Sequence, residues 1–159
     1  MGPSRITPCL WFDKEAEEAA RFYASVIPDT RIDSVERAPG DYPAGKAGDV
    51  LMVEMTLGGM KVTAMNGGPF FKFNEAISLQ LSVEDQAQLD HLYSTLSAVP
   101  QAEQCGWIKD RYGLRWQLVP KAFVALMKDP DPAVRTRVFE AMMPMKRLDI
   151  AALEAAARA

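Results

Sequence analysis

Apolar and polar positions change their spacing along the first half of the chain, from the period of a strand to that of a helix and back. Residues 50–57 alternate between apolar and polar side chains, and Gly58 and Gly59 then supply the turn of a hairpin. Asp13 is predicted to cap the helix, whose apolar side chains recur at helical spacing. The first half is therefore predicted to fold as βαβββ. Its elements are a strand at 6–12, a helix at 14–25 and strands at 30–37, 50–57 and 60–66.

The second half repeats this order about seventy residues later, which indicates an internal duplication. An apolar strand again feeds an amphipathic helix, and a hairpin follows. Trp107 and Trp116 lie in the two arms of that hairpin and are predicted to face opposite sides of the sheet. The elements are a strand at 77–83, a helix at 85–97 and strands at 105–109 and 114–119.

The pattern beyond residue 120 is purely helical. Asp131 and Asp149 are predicted N-caps, and Pro132 suits a first helical turn. These helices are predicted to pack against the sheet or against a second subunit. With 159 residues, the chain is expected to form a single domain, 1–159. Its parts are module one at 5–66, module two at 75–120, a C-terminal helical tail at 121–159, and tail helices at 122–128, 132–142 and 149–158.

Charge and composition restrict the partners. A net charge of −3 and scattered basic residues give no electrostatic footprint for nucleic acid or for an anionic membrane, so a small-molecule ligand is expected. The N-terminus does not resemble a signal peptide and no segment has the length of a membrane span, so a cytoplasmic protein is expected. Cys9 and Cys105 are predicted to be free thiols in that reducing compartment.

Four stretches of the sequence resemble a known family. They resemble the PhnB-like branch of the vicinal oxygen chelate superfamily, often labelled 3-demethylubiquinone-9 3-methyltransferase-like. The resemblance implies an α+β fold in which paired βαβββ modules form an open cup-like mixed sheet, here with C-terminal helices, and it implies a homodimer. The superfamily includes glyoxalases, ring-cleaving dioxygenases and antibiotic-resistance proteins. The stretches are ITPCLWFDKEAEEAARFY (6–23), NGGPFFKFNEAISLQL (66–81), CGWIKDRYGLRWQLVP (105–120) and FEAMMPMKRLDIAALEAA (139–156).

The metal ligands that the resemblance implies are missing. Metal-using members carry His and Glu on the first and last strands of each module, but this chain has Thr7, Ser78 and Gln117 near those positions. Neutral hydroxyl and amide groups bind a transition metal poorly. The single histidine, His91, lies on the second helix without a second imidazole. No metal and no cofactor are therefore expected, and no glycine-rich loop between a strand and a helix supports a methyl donor.

A polar strand face is the predicted binding surface. Alternation places Ser78 and Gln80 on the side of the cup, where polar groups among aromatic side chains would orient a ligand. Alternatively, these side chains and Gln117 bond to one another inside a filled barrel. The predicted ligand-binding residues are Thr7, Cys9, Trp11, Ser78, Gln80, Trp107, Arg115 and Gln117.

No residue is assigned a catalytic role. At the hairpin tip, Asp110 could act as a base and Arg111 could bind an anion, but a solvated turn in which Asp110 caps the backbone is favoured. Cys105 has no evident base.

The predicted function is a metal-free small-molecule-binding protein or a cofactorless isomerase or lyase. One alternative is a metal-dependent glyoxalase-like or dioxygenase-like enzyme with non-standard ligands such as Glu75 and Asp110. Others are a methyltransferase, as the family label suggests, and a non-catalytic structural module with a packed interior.

Overall fold

The computed structural model describes residues 4–159, and the chain divides into two compact units, Met1–Phe73 and Asn74–Ala159. The elements of the first unit are β1 (Cys9–Phe12), α1 (Ala16–Val26), β2 (Arg31–Arg37), β3 (Val50–Leu57) and β4 (Met60–Asn66). Its sheet has the order β1-β4-β3-β2, in which β1 runs parallel to β4 and the other neighbours are antiparallel. The predicted order βαβββ is confirmed for this unit.

Alternation along the strands separates the two faces of the first sheet. One face packs on α1 and forms the core, because alternate residues in β1, β3 and β4 are apolar and buried. Cys9 and Trp11 of β1 lie on the opposite, more accessible face. The core side chains are Leu10, Phe12, Ala16, Ala19, Tyr23, Val53, Met55, Val62 and Ala64.

The start of α1 differs from the prediction. Its N-cap position is Glu15 rather than Asp13, and the Glu15 side chain makes no capping hydrogen bond. The Ala16 backbone N–H instead donates to Asn66 Oδ1, 2.9 Å away at the end of β4, and Asn66 Nδ2 donates to the Val50 carbonyl at 3.0 Å. Asp13 Oδ1 is buried without a hydrogen-bond partner among the described residues. A side chain distant in sequence therefore replaces the local cap.

This arrangement gives opposite expectations for two substitutions. Asn66→Ala should lower the free energy of unfolding by about 1–3 kcal/mol, because it leaves one buried and one half-buried backbone group unpaired. Asp13→Ala should stay within about 0.5 kcal/mol of the wild type, because Oδ1 has no bond to lose. Urea denaturation of both variants measures the difference. A larger loss of unfolding free energy for Asp13→Ala than for Asn66→Ala would show that Asp13 caps the helix after all.

The second unit begins with a strand and a helix, as predicted, and ends in the helical tail. Its sheet has three strands in the order β5-β7-β6, with β5 parallel to β7 and β6 antiparallel to it. The elements are β5 (Leu79–Val83), α2 (Gln86–Leu96), a 3₁₀ helix (Pro100–Ala102), β6 (Trp107–Lys109), β7 (Arg115–Pro120), α3 (Lys121–Leu126), α4 (Pro132–Met142) and α5 (Ile150–Arg158).

The second module is an abbreviated copy of the first. Where the first module has β2, the second has the 3₁₀ helix, so its sheet has three strands instead of four. Pro100 starts this turn and has no N–H to donate to a sheet ladder. The predicted strand at 77–83 also begins two positions late, at Leu79, since Ile77 is 61% exposed. Paired modules are confirmed, but the second one has one strand fewer than the predicted βαβββ order.

The face of the second sheet that packs on α2 is apolar. Trp116 and Leu118 of β7 and Ile108 of β6 are buried there, together with Leu89 and Leu92 of α2. Trp107 pairs with Gln117 rather than with Trp116, so the two tryptophans face opposite sides as predicted.

Of the C-terminal helices, α3 packs on this sheet, whereas α4 and α5 pack on each other and on α3. Helix α3 contacts β7, and the backbone N–H groups of Cys105 and Gly106 donate to the carbonyls of Met145 and Lys146 at 2.7 and 2.8 Å. The predicted caps are confirmed, since Asp131 Oδ1 accepts from the Ala133 N–H and Asp149 Oδ1 from the Ala152 N–H. Within residues 4–159, every helix is too short or too polar to cross a membrane.

Candidate functional site

The hairpin between β6 and β7 is fixed by a buried carboxylate. Asp110 is 1% exposed and accepts hydrogen bonds from the Tyr112 N–H at 2.9 Å, the Leu114 N–H at 3.0 Å and Trp116 Nε1 at 2.9 Å. Asp110 therefore caps the backbone, as favoured, but inside the protein and not in a solvated turn. The exposed Arg111 guanidinium lies 5.7 Å from the centre of the Tyr112 ring. The three hydrogen bonds to Asp110 give this carboxylate a structural role in the hairpin.

The face of the second sheet opposite α2 carries a row of three polar side chains, here called the polar ladder: Ser78, Gln80 and Gln117. Gln117 Nε2 donates to Ser78 Oγ at 2.8 Å, and Gln80 Nε2 donates to Gln117 Oε1 at 3.2 Å. These three residues do bond to one another, as the alternative to ligand binding supposed. Gln80 is nevertheless exposed and the other two are half-buried, so the ladder is accessible from one side.

Trp107, Lys109 and Arg115 lie beside the polar ladder on the same face. Register pairs Trp107 with Gln117 and Lys109 with Arg115. The Arg115 guanidinium carbon lies 5.9 Å from the centre of the Trp107 ring, and Arg115 Nε is buried without a hydrogen-bond partner among residues 4–159. Lys109 Nζ lies 3.2 Å from Glu75 Oε1. The hydrogen bond from Lys109 lowers the pKa of the Glu75 carboxyl, and the charge of Arg115 lowers it further.

An apolar cavity of about 250 Å³ lies between this face and the C-terminal helices. Trp107, Gln117 and Val119 form its strand side, and five side chains of the helical tail form the other side. A cavity of about 150 Å³ holds a benzene ring, so this one has room for a ring or a short aliphatic chain. The lining residues are Cys105, Trp107, Gln117, Leu118, Val119, Phe123, Met127, Phe139, Met142 and Leu148.

Cys105 lies at one end of this cavity in a left-handed backbone conformation, with φ +49°. Its thiol Sγ lies 3.4 Å from the Met143 carbonyl and accepts from Gln104 Nε2 at 3.3 Å. Cys105 and Cys9 both carry free thiols, and Cys9 is exposed. No imidazole or carboxylate stands beside the Cys105 sulfur among its described hydrogen-bond partners, so the structure gives it no activating base.

The three predicted site residues of the first unit are in a different setting. Thr7 is exposed and precedes β1, and Cys9 lies on the accessible face of the first sheet. Trp11 already has partners, since its Nε1 donates to the Gly68 carbonyl at 2.9 Å and its ring meets Phe71 edge-on at 5.0 Å. None of these three lines a described cavity.

A second cavity, of about 520 Å³, lies in the first unit but is a weaker candidate. Its walls include the exposed Lys14, Lys46 and Asp49, and the Lys46 charge is already matched by Asp41 Oδ2 at 2.8 Å. The smaller cavity has half-buried aromatic and aliphatic walls, which stabilise a ligand by removing apolar surface from water.

The donor groups of the described residues do not suit a metal ion. Within residues 4–159, no three side chains of His, Cys, Asp or Glu are grouped so that they could hold one. Glu75 is paired with Lys109 and Asp110 is bound by three N–H donors, so neither carboxylate is available as proposed for a metal-dependent enzyme. His91 is exposed on α2.

Comparison with known proteins identifies the family. The sequence profile described as 3-demethylubiquinone-9 3-methyltransferase matches residues 4–119. The chain belongs to this PhnB-like family. The PhnB protein from Bacillus cereus is 30% identical with a TM-score of 0.62, over 74% of this chain and 99% of that one. The predicted resemblance is thus confirmed over residues 4–119, whereas the stretch 139–156 lies beyond the matched range. No curated protein matches the chain.

More distant solved structures confirm the fold alone. Protein PA1353 from Pseudomonas aeruginosa is 18% identical with a TM-score of 0.56, over 74% of this chain and 97% of that one. A glyoxylase/bleomycin resistance protein/dioxygenase domain from Frankia sp. EAN1pec is 18% identical with a TM-score of 0.50, over 75% and 93%. The PhnB-like chain therefore has the fold of the glyoxalase and bleomycin resistance superfamily.

The family match ends before the helical wall of the cavity. The profile stops at residue 119, whereas five lining residues come later: Phe123, Met127, Phe139, Met142 and Leu148. Sequence reasoning found Trp107 and Gln117 but missed these five side chains. The available signal was the amphipathic tail, which was predicted to pack on the sheet without a defined face.

Proposed function

We propose that this PhnB-like protein binds a small, partly apolar metabolite without a metal, in the cavity between the second sheet and the C-terminal helices. The observation that supports this most is the position of Gln117, which belongs both to the polar ladder and to the cavity wall. A largely apolar pocket with a few convergent polar groups is the usual form of a small-molecule site.

Binding is favoured over catalysis by the chemistry of the wall. Among the described lining residues none carries a carboxylate or an imidazole, and general acid–base catalysis needs such a group near the reacting atoms. We therefore place the cofactorless isomerase or lyase second to a binding protein. The resemblance also supports a homodimer, for which exposed Phe70 and Phe71 offer apolar surface to a partner subunit. A single domain, 1–159, and a cytoplasmic location stay predictions from the length of the chain and its N-terminal sequence.

Two neighbouring methionines allow a matched test of the cavity. Met142 lines it, whereas the next residue, Met143, is 47% exposed and does not. Met142→Trp should fill the space and weaken binding of the neutral fluorescent probe N-phenyl-1-naphthylamine at least about tenfold, or about 1.4 kcal/mol. Met143→Trp should change the affinity less than about twofold, because its side chain lies outside the cavity. Fluorescence titration of the three proteins, with circular dichroism to verify folding, measures the effect.

The same titration tests the other functions. Prior treatment with a chelator should leave probe binding unchanged, and S-adenosylmethionine should not displace the probe. Bound probe should also slow the reaction of Cys105 with a maleimide but not that of exposed Cys9. Absence of saturable binding, or equal losses in both methionine variants, would refute the proposed site.

A further inference from the structure

We infer that the ligand of this cavity is a small organic carboxylate, whose apolar body lies among the helical side chains and whose carboxylate is bound by Arg115. This inference rests on the proposed function and names the ligand class for the same site. It starts from the one basic side chain of this face that lacks an ion pair within the described residues.

The charges on the face leave one positive charge uncompensated. Lys109 and Glu75 form an ion pair at 3.2 Å, and both flank Arg115. No hydrogen bond or ion pair within residues 4–159 involves the Arg115 guanidinium, which instead lies over the Trp107 ring. Two basic groups and one carboxylate leave a net charge of +1, which matches a monoanion.

The hydrogen-bonding capacity of Arg115 points the same way. Its buried Nε–H has no acceptor among the described residues, and a buried donor without an acceptor destabilises the folded protein. A guanidinium presents a planar fork that a carboxylate can meet with two parallel hydrogen bonds. A carboxylate oxygen would therefore supply both the missing acceptor and the missing charge.

The position of Arg115 relative to the cavity sets the size of the ligand. Arg115 and Gln117 are two residues apart on the same face of β7, which is roughly 7 Å along the strand. Trp107 connects them, because its ring lines the cavity and lies under the guanidinium. A ligand that fills about 250 Å³ and reaches one strand repeat further has a ring or short chain separated from its carboxylate by a few carbon atoms.

The test compares ligands that differ only in charge. 4-Phenylbutyrate and its neutral analogue 4-phenylbutanamide should both displace N-phenyl-1-naphthylamine, but the carboxylate should bind at least about tenfold more tightly. Arg115→Gln should remove this preference while changing the affinity for the amide less than about twofold. Arg115→Lys should keep part of it, since an ammonium retains charge without the fork. Arg111→Gln, on the same hairpin but exposed, should leave it intact.

The outcomes separate this inference from the proposed function. If the fluorescent probe does not bind at all, the proposed function fails. If the probe binds but the two phenylbutyrate analogues bind equally, or if Arg115→Gln weakens both alike, only the carboxylate assignment is overturned. Tighter binding of 2-phenylethyl phosphate than of 4-phenylbutyrate would also overturn it in favour of a phosphate ester. A preference that survives Arg115→Gln and disappears in Arg111→Gln would place the anion site at the hairpin tip.

Discussion

Replacing Asp110 with alanine is expected to lower the free energy of unfolding by about 3–5 kcal/mol, because three N–H donors lose their acceptor and two of them are buried. Asp110→Asn should cost less, about 2–3 kcal/mol. The amide oxygen can still accept from the backbone, but its NH₂ group would face the Trp116 indole N–H, and two donors cannot pair. Urea denaturation followed by circular dichroism measures both losses.

The matched control is Asp131→Ala. Asp131 is exposed and caps α4 with one side-chain hydrogen bond to Ala133, so its loss should cost about 1 kcal/mol. Comparable losses for Asp131→Ala and Asp110→Ala would mean that burial does not strengthen the Asp110 bonds. A stable Asp110→Ala protein that loses only ligand binding would contradict this structural role and would make Asp110 a candidate site residue.

Gly106→Ala is expected to destabilise the protein by about 2–4 kcal/mol, through two separate effects. Gly106 has φ +83°, where an alanine costs about 1–2 kcal/mol. A Cβ there would also lie 2.9 Å from the Leu118 carbonyl oxygen, which is backbone and cannot move aside freely. The substitution should push the segment at Met145 and Lys146 away from the sheet, since Gly106 donates to the Lys146 carbonyl.

Two other glycines separate these effects. Gly113 also has a positive φ, +87°, but its nearest neighbour would be 3.9 Å from a Cβ, so Gly113→Ala should show the backbone cost alone. A Cβ at Gly40 would have no neighbour within 4 Å, and the backbone there is not left-handed. Gly40→Ala should therefore be neutral or stabilising by up to about 1 kcal/mol. Thermal denaturation ranks the three variants. Equal midpoints for Gly106→Ala and Gly113→Ala would show that the chain accommodates the Leu118 contact.

The local pattern of the sequence predicted the strands of the first unit well, because side-chain alternation and turn chemistry act over a few residues. β3 and β4 have the predicted bounds, and both turn glycines have positive φ, +54° and +84°. The caps at Asp131 and Asp149 depend equally on adjacent residues. The predicted cap at Asp13 was wrong, because the Ala16 N–H at the start of the helix donates to Asn66, which is fifty positions further along the chain.

The candidate site was predictable only on its strand side. Register follows from alternation, so Gln117, Gln80 and Ser78 could be placed on one face from the sequence. The helical wall depends on how α3 and α4 turn after β7, which no repeating pattern fixes. Phe139 has the same apolar character whether it lines a cavity, faces a partner or remains 46% exposed, as it does here.

In the second unit, the segment beyond residue 119 supplies the apolar wall of the cavity, and the sheet supplies its polar side chain, Gln117. Substitutions of Phe123, Met127 or Met142 would change the apolar wall of the cavity without altering the hydrogen bonds among Ser78, Gln80 and Gln117. Ligand selectivity could therefore change through substitutions in the C-terminal helices alone, while the matched region 4–119 stays the same.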